Sequence, residues 1–432
     1  MNKDRFHNYS AEVRENVQAF ESQRVSGDKY FDLDQLDIVA NYYLDMGDAA
    51  GLAAVVSQGE RLFPHSIEIR LHRSHLLSLQ GEYSKSLAIL KDLEAAEPDN
   101  TDVSYALGMH YSITDNPAAA IEYYQRAATD GYELDLIYGN IADEYYKLHN
   151  VEESISYYKR SIEKNPEEDR SLYNLVCTYD EQGRNDEGEE FFVQHVTDHP
   201  YSKGGWYCLG CVYCWLSLYE KAADAYEYAL AIDKTLFNAY LGLSECYRQM
   251  NDLGRAAQAL HDSLDFADDR AYVFYSLGHL YFSKRNFATA SVYFHDAVKE
   301  DPAFSMAWNE LGRCCACSGS MDEAAGYLRR AIDLDPDSDE NWLSLADLYL
   351  YNERFEEACA LLESSRIEAI SRFEFDSRLI YCYFKLGRRN RLFALLQDDA
   401  KDFGPLYPSL LSSYPEMQND TELVNALMQL GH

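Results

Sequence analysis

Apolar residues recur along this chain with a helical spacing, and the same spacing returns every 34 residues. Trp206, Trp308 and Trp342 occupy equivalent places in this period, which starts at Leu33 and continues without an insertion or deletion. Within each repeat, apolar positions 4, 7, 8 and 11 mark one face of a first helix, and positions 20, 24 and 27 mark a second helix. The pattern therefore predicts helical hairpins. Eleven repeats fit, with starts at residues 33, 67, 101, 135, 169, 203, 237, 271, 305, 339 and 373.

Side-chain size also recurs with the 34-residue period. Position 4 carries a large apolar residue such as Trp308, expected to be a knob in the core, whereas position 8 is small, as at Gly278, so that a neighbouring backbone can approach closely. Position 11 is tyrosine in nine repeats, and position 24 is often aromatic. Glycine or asparagine at position 15, as at Gly47, predicts a tight turn with positive φ. Prolines between repeats, such as Pro64, are expected to end the second helix.

These residues resemble the signature of the tetratricopeptide repeat (TPR) family over residues 33–406. The resemblance implies an all-α fold, a right-handed α-solenoid of about eleven 34-residue hairpins. In this family the first helices line a concave groove, the second helices form the convex back, and the function lies in what the groove holds. More narrowly, the chain resembles long bacterial proteins that contain TPRs alone and have no assigned activity.

Both ends of the repeat array are predicted to be capped, because the terminal apolar faces of an open stack have no neighbour. Residues 1–32 are expected to form an N-terminal capping helix with an apolar stripe of Val13, Val17 and Phe20. Residues 407–432 are expected to form a C-terminal cap whose stripe consists of three leucines, at positions 423, 427 and 430.

The charge balance narrows the range of partners. The formal net charge is −35, which repels nucleic-acid phosphates and anionic lipid surfaces, so a basic or neutral protein or peptide partner is favoured. The amino terminus lacks the apolar segment of a signal peptide, and no stretch is long enough to cross a bilayer. We therefore expect a cytoplasmic protein without membrane insertion, whose ten cysteines are free thiols.

A run of cysteines raises the question of a metal site. Cys208, Cys211 and Cys214 have a short spacing that suits metal thiolates. On a helix, however, steps of three residues turn back by about 60° each, so the three sulfur atoms trace a slanted band and do not converge. Cys177, one repeat earlier, offers the only route to a site of four thiolates. We expect structural thiols with no metal or cofactor, here and in the second run of Cys314, Cys315 and Cys317.

Other signals of chemistry are weak. The segment from Asp333 resembles the opening of a calcium loop, but Ser338 stands where glycine is needed and Ser344 where glutamate is needed. The sequence contains no metalloprotease, phosphate-loop, nucleophile-elbow or dinucleotide-binding motif. The chain is therefore predicted not to be an enzyme, and no catalytic residue is assigned.

The family resemblance places positions 2, 5, 6, 9, 12 and 13 of the first helices in the groove. The clamp with which some members bind acidic tails is predicted to be absent, because Asn140 and Asn174 lack its lysine and asparagine partners. Trp215 is the one tryptophan outside position 4, and its place at a helix end should put the indole near the groove. The candidate groove residues are aromatic and acidic: Asp143, Tyr146, Tyr173, Asp180, Tyr207, Cys211, Trp215, Glu245, Arg248, Tyr272, Tyr275, His279 and Phe282.

Two functions fit this pattern. The first is a non-enzymatic scaffold that holds a segment of a partner protein in the groove through aromatic anchors and carboxylates. The alternative is a regulatory receptor that closes on a short peptide or small ligand and changes the pitch of the solenoid. A third class, an enzyme or metalloprotein built on the cysteine-rich middle, would need the thiolate site described above.

Overall fold

A computed structural model describes residues 9–26, 31–129, 131, 133–365, 372–398 and 407–430. These residues form α-helices joined by short turns, with one 3₁₀ helix and no β-strand, so the predicted all-α fold class of stacked hairpins is confirmed. The chain divides into two compact units, an N-terminal unit of Met1–Leu218 and a C-terminal unit of Tyr219–His432. Within the described ranges, no helix combines the length and the apolar character that crossing a bilayer requires.

The N-terminal unit contains twelve described helices, α1 to α12, in which each even-numbered helix is the first helix of a repeat. Their bounds in chain order are Ala11–Ser26, Leu33–Asp45, Ala49–Leu62, Ile67–Leu79, Tyr83–Ala96, Thr101–Ile113, Pro117–Ala127, Leu134–Lys147, Val151–Lys164, Asp169–Glu181, Asn185–Asp198 and Lys203–Trp215. Side chains cap several of them. In α2, for example, the Asp32 carboxylate accepts from the Gln35 backbone N–H while the Gln35 side chain accepts from the Asp32 N–H, a capping box.

The C-terminal unit contains the described helices α13 to α25, again with the first helices even-numbered as far as α22. Their bounds are Tyr219–Ile232, Phe237–Gln249, Leu253–Ser263, Arg270–Ser283, Phe287–Glu300, Ser305–Cys317, Met321–Leu334, Asp339–Tyr351, Phe355–Ser365, Arg372–Lys385, Arg389–Asp398, Tyr407–Ser413 and Thr421–Leu430. The 3₁₀ helix Pro415–Asn419 lies between the last two.

The turn inside each hairpin has the left-handed conformation that the glycines predicted. All eleven residues at position 15 have φ between 56° and 86°, although five of them are neither glycine nor asparagine. The surrounding hydrogen bonds form a Schellman motif: in the first hairpin, the Asp48 N–H donates to the Tyr43 carbonyl and the Gly47 N–H to the Leu44 carbonyl, both at 2.9 Å. The backbone therefore closes every turn in one way, whatever side chain is present.

The small residues at position 8 pack against a side chain more than against a neighbouring backbone. A Cβ atom added to Gly108 would lie 2.6 Å from the Tyr124 ring, and one added to Gly278 would lie 2.5 Å from the Phe294 ring. Each aromatic residue is at position 24, on the second helix of the same hairpin. The small residue therefore makes room for an aromatic ring of the second helix, where the sequence had predicted a neighbouring backbone.

At position 4, the aliphatic residues are buried more deeply than the tryptophans. Leu36 and Leu172 are fully buried, whereas Trp206, Trp308 and Trp342 are half-buried. The three indoles have a second function, because each Nε1–H donates to the carbonyl oxygen of a proline six residues earlier, at 2.8–3.0 Å. Tryptophan at this position therefore fixes the first helix to the turn that precedes it.

The apolar stripes outside the repeats pack against the adjoining helices. In the N-terminal unit, Val17 and Phe20 are buried in the cluster around Leu36 and Tyr43, with Val13 partly buried against it. In the C-terminal unit, the leucines at positions 423 and 427 are buried with the side chains of residues 410, 411 and 417. The side chain of Leu430 lies outside the described residues.

Candidate functional site

A pocket of about 470 Å³ opens on the first helices of the N-terminal unit. Most of its lining comes from α8 and α10, the first helices of two consecutive repeats, with contributions from α6, α7 and α9. We call it the N-terminal pocket; its lining residues are Ser112, Tyr124, Asn140, Asp143, Glu144, Tyr146, Lys147, Tyr158, Arg170, Tyr173, Asn174, Cys177, Thr178 and Glu181.

Asp143 is the centre of a hydrogen-bond network in this pocket. Its Oδ1 accepts from the Tyr158 hydroxyl at 2.5 Å and from the Asn174 amide at 3.0 Å, while its Oδ2 accepts from the Arg170 guanidinium at 3.1 Å. A second Arg170 nitrogen donates to the Asn140 side-chain oxygen at 2.9 Å. Asn140 and Asn174, which lack the predicted clamp partners, thus hold the aspartate and arginine in place.

The exposed wall of the pocket is aromatic. The side chains of Tyr146 and Tyr173 come from successive first helices and are 38% and 50% exposed. The Tyr146 hydroxyl donates to Glu181, and this bond raises the pKa of Tyr146. A hydrogen bond with the Cys177 thiol raises the pKa of Tyr173, and burial raises the pKa of Cys177 itself. The phenols and the thiol are therefore neutral at physiological pH.

Glu144, which is not among the residues predicted from the sequence, is the most deeply buried charged group in this pocket. Its side chain is 2% exposed, and Oε1 accepts from the Ser112 hydroxyl at 2.5 Å and from the Lys147 ammonium at 2.7 Å. Its Oε2 is buried and has no hydrogen-bond partner. A signal was present in the sequence, because Glu144 is the one carboxylate among the eleven residues at position 10, which faces the core.

Four predicted groove residues of the N-terminal unit lie outside the lining of the pocket. Asp180 is half-buried and accepts from the Asn185 amide at 3.2 Å. Tyr207 and Cys211 are half-buried on α12, and burial with the nearby Cys211 thiol raises the pKa of Tyr207. Trp215, in the last turn of α12, is 39% exposed. The lining of the pocket includes Asp143, Tyr146 and Tyr173 but not these four residues.

The cysteines are all free thiols. Cys208 is buried and burial raises its pKa well above the usual value, while Cys211 and Cys214 are half-buried. Among the residues for which the structure gives a placement, no three histidine, cysteine or acidic side chains are grouped to hold a metal ion. Of these three cysteines, only Cys208 is fully enclosed by packing.

A second pocket, of about 430 Å³, lies on the first helices of the C-terminal unit. Glu245 and Arg248 line it as a pair: the Arg248 Nε–H donates to Glu245 Oε2 at 2.7 Å and a terminal nitrogen donates to Oε1 at 2.5 Å. Burial would raise the pKa of Glu245, but the bonds from Arg248 and Gln249 outweigh it and lower the pKa. The lining of this C-terminal pocket consists of Leu241, Ser244, Glu245, Arg248, Leu260, Tyr272, Tyr275, Ser276, His279, Leu280 and Ser283.

Aromatic side chains form the other wall of the C-terminal pocket. Tyr272 is 42% exposed, and the Tyr275 ring meets the His279 ring edge to face at 4.5 Å. Burial raises the pKa of Tyr275 to about 12 and lowers the pKa of His279. Phe282 lies outside the lining, where its ring packs against the Phe287 ring at a centroid distance of 5.2 Å. This wall of the C-terminal pocket is therefore neutral, with hydroxyl groups from tyrosine and serine.

Models of two protein families match segments of this chain. A tetratricopeptide repeat description matches residues 75–133 and 140–203, and the description of the C-terminal domain of cilia and flagella-associated protein 70 matches residues 234–367. Together the matched segments cover more than half of the sequence. No curated protein matches it.

Two solved structures are similar to this chain. The crystal structure of YrrB, a TPR protein with an unusual peptide-binding site, has 20% identity and a TM-score of 0.34, and the match covers 43% of this chain and 95% of YrrB. The Cut9–Hcn1 hetero-tetramer of the APC/C has 13% identity and a TM-score of 0.39, with coverage of 98% and 97%. Both TM-scores are low, so neither structure bears on how the pockets are used.

Proposed function

Because this chain belongs to the tetratricopeptide repeat family, we propose that it is a non-enzymatic scaffold that binds a segment of a basic or neutral partner protein. The observation that carries the proposal is the concentration of exposed tyrosines beside carboxylates in one pocket of each unit. Aromatic residues at the centre of a contact surface are the commonest hot spots of protein interfaces. A net charge of −35 favours a partner segment that carries lysine or arginine.

The network around Asp143 supports this use of the surface. Its hydrogen bonds hold Arg170 and Asn174 in place before a partner arrives, so binding costs little side-chain entropy. Tyr146 and Tyr173 then offer rings whose faces take apolar stems or cations, and whose hydroxyls are already oriented. Recognition of this kind requires no cofactor and no chemical step.

Purification of the tagged protein from its native cell, followed by mass spectrometry, tests the proposal. Tyr173→Ala and Tyr272→Ala should each weaken binding of the recovered partner by more than about 1 kcal/mol, the usual mark of an important interface residue. Trp215→Ala extends the test to an exposed aromatic candidate outside the two pockets. The matched control is Tyr201→Ala, because Tyr201 is 82% exposed in the turn between α11 and α12.

Charge reversals need a different control. Glu245→Lys should slow association and reduce its dependence on salt, because exposed charges act through a screened field. Glu227, an exposed carboxylate on α13, is unsuitable as a neutral comparison, since it accepts from the Tyr247 hydroxyl at 2.5 Å. Asp224 on the same helix is exposed and serves better. Loss of the partner with Asp224→Lys but not with Glu245→Lys or the tyrosine variants would contradict binding on the first helices.

The receptor alternative predicts a different outcome. Both pockets have the volume typical of small-ligand sites, about 300–1,000 Å³. A receptor would bind a metabolite or short peptide from cell extract, and scattering from the protein would change on binding. A large partner protein recovered at one copy per chain, with no change in scattering beyond its own mass, would exclude the receptor.

A further inference from the structure

The buried carboxylate of Glu144 in the N-terminal pocket lacks a hydrogen-bond donor. Oε1 has two donors, whereas Oε2 has none and has no contact with solvent. Buried polar atoms in native proteins nearly always have a partner, and an ionised oxygen without one is the most costly case. We infer that the N-terminal pocket binds a primary ammonium group, which donates to Glu144 Oε2 once the side chains that cover this oxygen rotate, an inference that rests on the partner-binding role proposed above.

The charge of the pocket fits one such group. Its lining contains the acids Asp143, Glu144 and Glu181 and the bases Lys147 and Arg170, so one negative charge is uncompensated. The other titratable groups add nothing to this balance. Burial raises the pKa of the Tyr124 and Tyr158 phenols. Hydrogen bonding raises the pKa of the exposed Tyr146 and Tyr173 phenols, so all four are uncharged. A single monovalent cation therefore neutralises the pocket, whereas an anionic ligand would add to its charge.

The geometry favours an ammonium group over a guanidinium group. A guanidinium binds a carboxylate best through two parallel bonds to both oxygens, but Ser112 and Lys147 already occupy Oε1. An ammonium is a compact point donor that can use Oε2 alone. The exposed rings of Tyr146 and Tyr173 provide faces for the cation and for its methylene stem. The volume of about 470 Å³ accommodates an aminoalkyl chain.

The direct test uses pentylammonium, which carries the end group of lysine on an alkyl chain. Calorimetric titration at constant ionic strength should show saturable binding in the millimolar range, with no binding of the neutral 1-pentanol. Glu144→Gln keeps the shape of the side chain and should weaken binding at least tenfold. Glu163→Gln, on the exposed face of α9, removes the same charge outside the pocket and should leave binding unchanged.

A second variant keeps the test decisive if Glu144→Gln unfolds. Lys147→Met removes the pocket's own cation from a side chain that is 42% exposed, so pentylammonium should bind more tightly to it than to the original protein. A purely structural role for Glu144 would not produce that gain. Absence of saturable binding, equal binding by folded Glu144→Gln, or no gain with Lys147→Met would each overturn the inference.

The ammonium group can come from a lysine side chain or from a free amine. A short blocked glycine peptide with one central lysine, compared with its Nε-acetylated form, separates these sources. Binding of the lysine peptide alone assigns the pocket to a protein partner, whereas binding of pentylammonium without the peptide assigns it to a free amine. If Glu144→Gln retains pentylammonium binding while Tyr272→Ala loses the natural partner, this inference fails and the scaffold function stands. If pentylammonium does not bind and the tyrosine variants bind the natural partner as the original protein does, both the ammonium inference and the scaffold function are refuted.

Discussion

At the scale of single residues, two histidines favour the neutral form. Both ring nitrogens of His75 are buried without a hydrogen-bond partner, and burial, with a contribution from nearby His72, lowers the pKa of His75 to about 4. Burial also lowers the pKa of His195 to about 4, where its Nε2 lies 3.2 Å from the Ser202 hydroxyl. In the unfolded chain both groups return to a pKa of about 6.5.

We predict that acid destabilises the N-terminal unit through these residues. Above pH 6.5 both states are neutral and the histidines do not affect stability. As the pH falls from 6.5 towards 4, the unfolded chain binds protons that the folded chain does not, so each histidine lowers the free energy of unfolding by up to about 1.4 kcal/mol per pH unit. Denaturant unfolding of His75→Leu across this range should show a shallower pH dependence. An unchanged slope in the folded variant would contradict the assignment.

At the scale of the hairpin, the turn residue at position 15 has the same conformation in every repeat, whether or not it suits the side chain. The left-handed conformation costs an ordinary residue about 1–2 kcal/mol. Glycine avoids this cost, but it loses more chain entropy on folding, which offsets part of the advantage. His149 is exposed with φ of 56°, and Gly183 has φ of 64° one repeat later. The two positions form a matched pair.

We predict opposite effects of substitution at this pair. His149→Gly should raise the free energy of unfolding by up to about 1 kcal/mol, because it removes the left-handed penalty without removing a buried contact. Gly183→Ala should lower it by about 1 kcal/mol for the same reason. Chemical denaturation of both variants measures the difference. If both variants were destabilised, the conformation of the turn would not be the controlling term.

The packing inside a hairpin gives a second prediction at this scale. Gly278→Ala would place a methyl group 2.5 Å from the Phe294 ring, which overpacks the contact and should cost about 1–3 kcal/mol. Gly326 lies in α19 with no atom within 4 Å of an added Cβ. Gly326→Ala should therefore stabilise the protein by roughly 1 kcal/mol through helix propensity. Thermal melting should shift in opposite directions, and a common direction would contradict the packing account.

At the scale of the whole molecule, the net charge of −35 is the main source of electrostatic repulsion in the folded state. Self-repulsion of this size destabilises the compact state, and salt screens it over a Debye length of about 8 Å at physiological ionic strength. We predict that the free energy of unfolding rises as sodium chloride is added from low concentration to physiological strength. Choline chloride should have the same effect, since ionic strength is the variable. A fall in stability would show that local ion pairs outweigh the overall repulsion.

The sequence by itself determined the features that depend on neighbours along the chain. Helical periodicity and the turn at position 15 follow from spacing within one helix or one hairpin, so the all-α hairpin fold was predictable. Small residues at position 8 also predicted a close contact. Their partner, an aromatic ring of the second helix, required the structure, because spacing alone does not show which side chain enters the gap.

Tertiary structure decided how residues one repeat apart meet. Ser112 and Glu144 are 32 positions apart in sequence, and their hydrogen bond exists because consecutive first helices lie side by side. The same stacking buries Glu144. Packing of a second helix against the first helix of the next repeat joins Glu227 to Tyr247 across 20 residues. Burial depends on the relative rotation of packed helices, which a fixed period does not specify. For that reason the sequence indicated the side of the hairpin that carries the candidate site, whereas the structure located its pockets and the carboxylate without a donor.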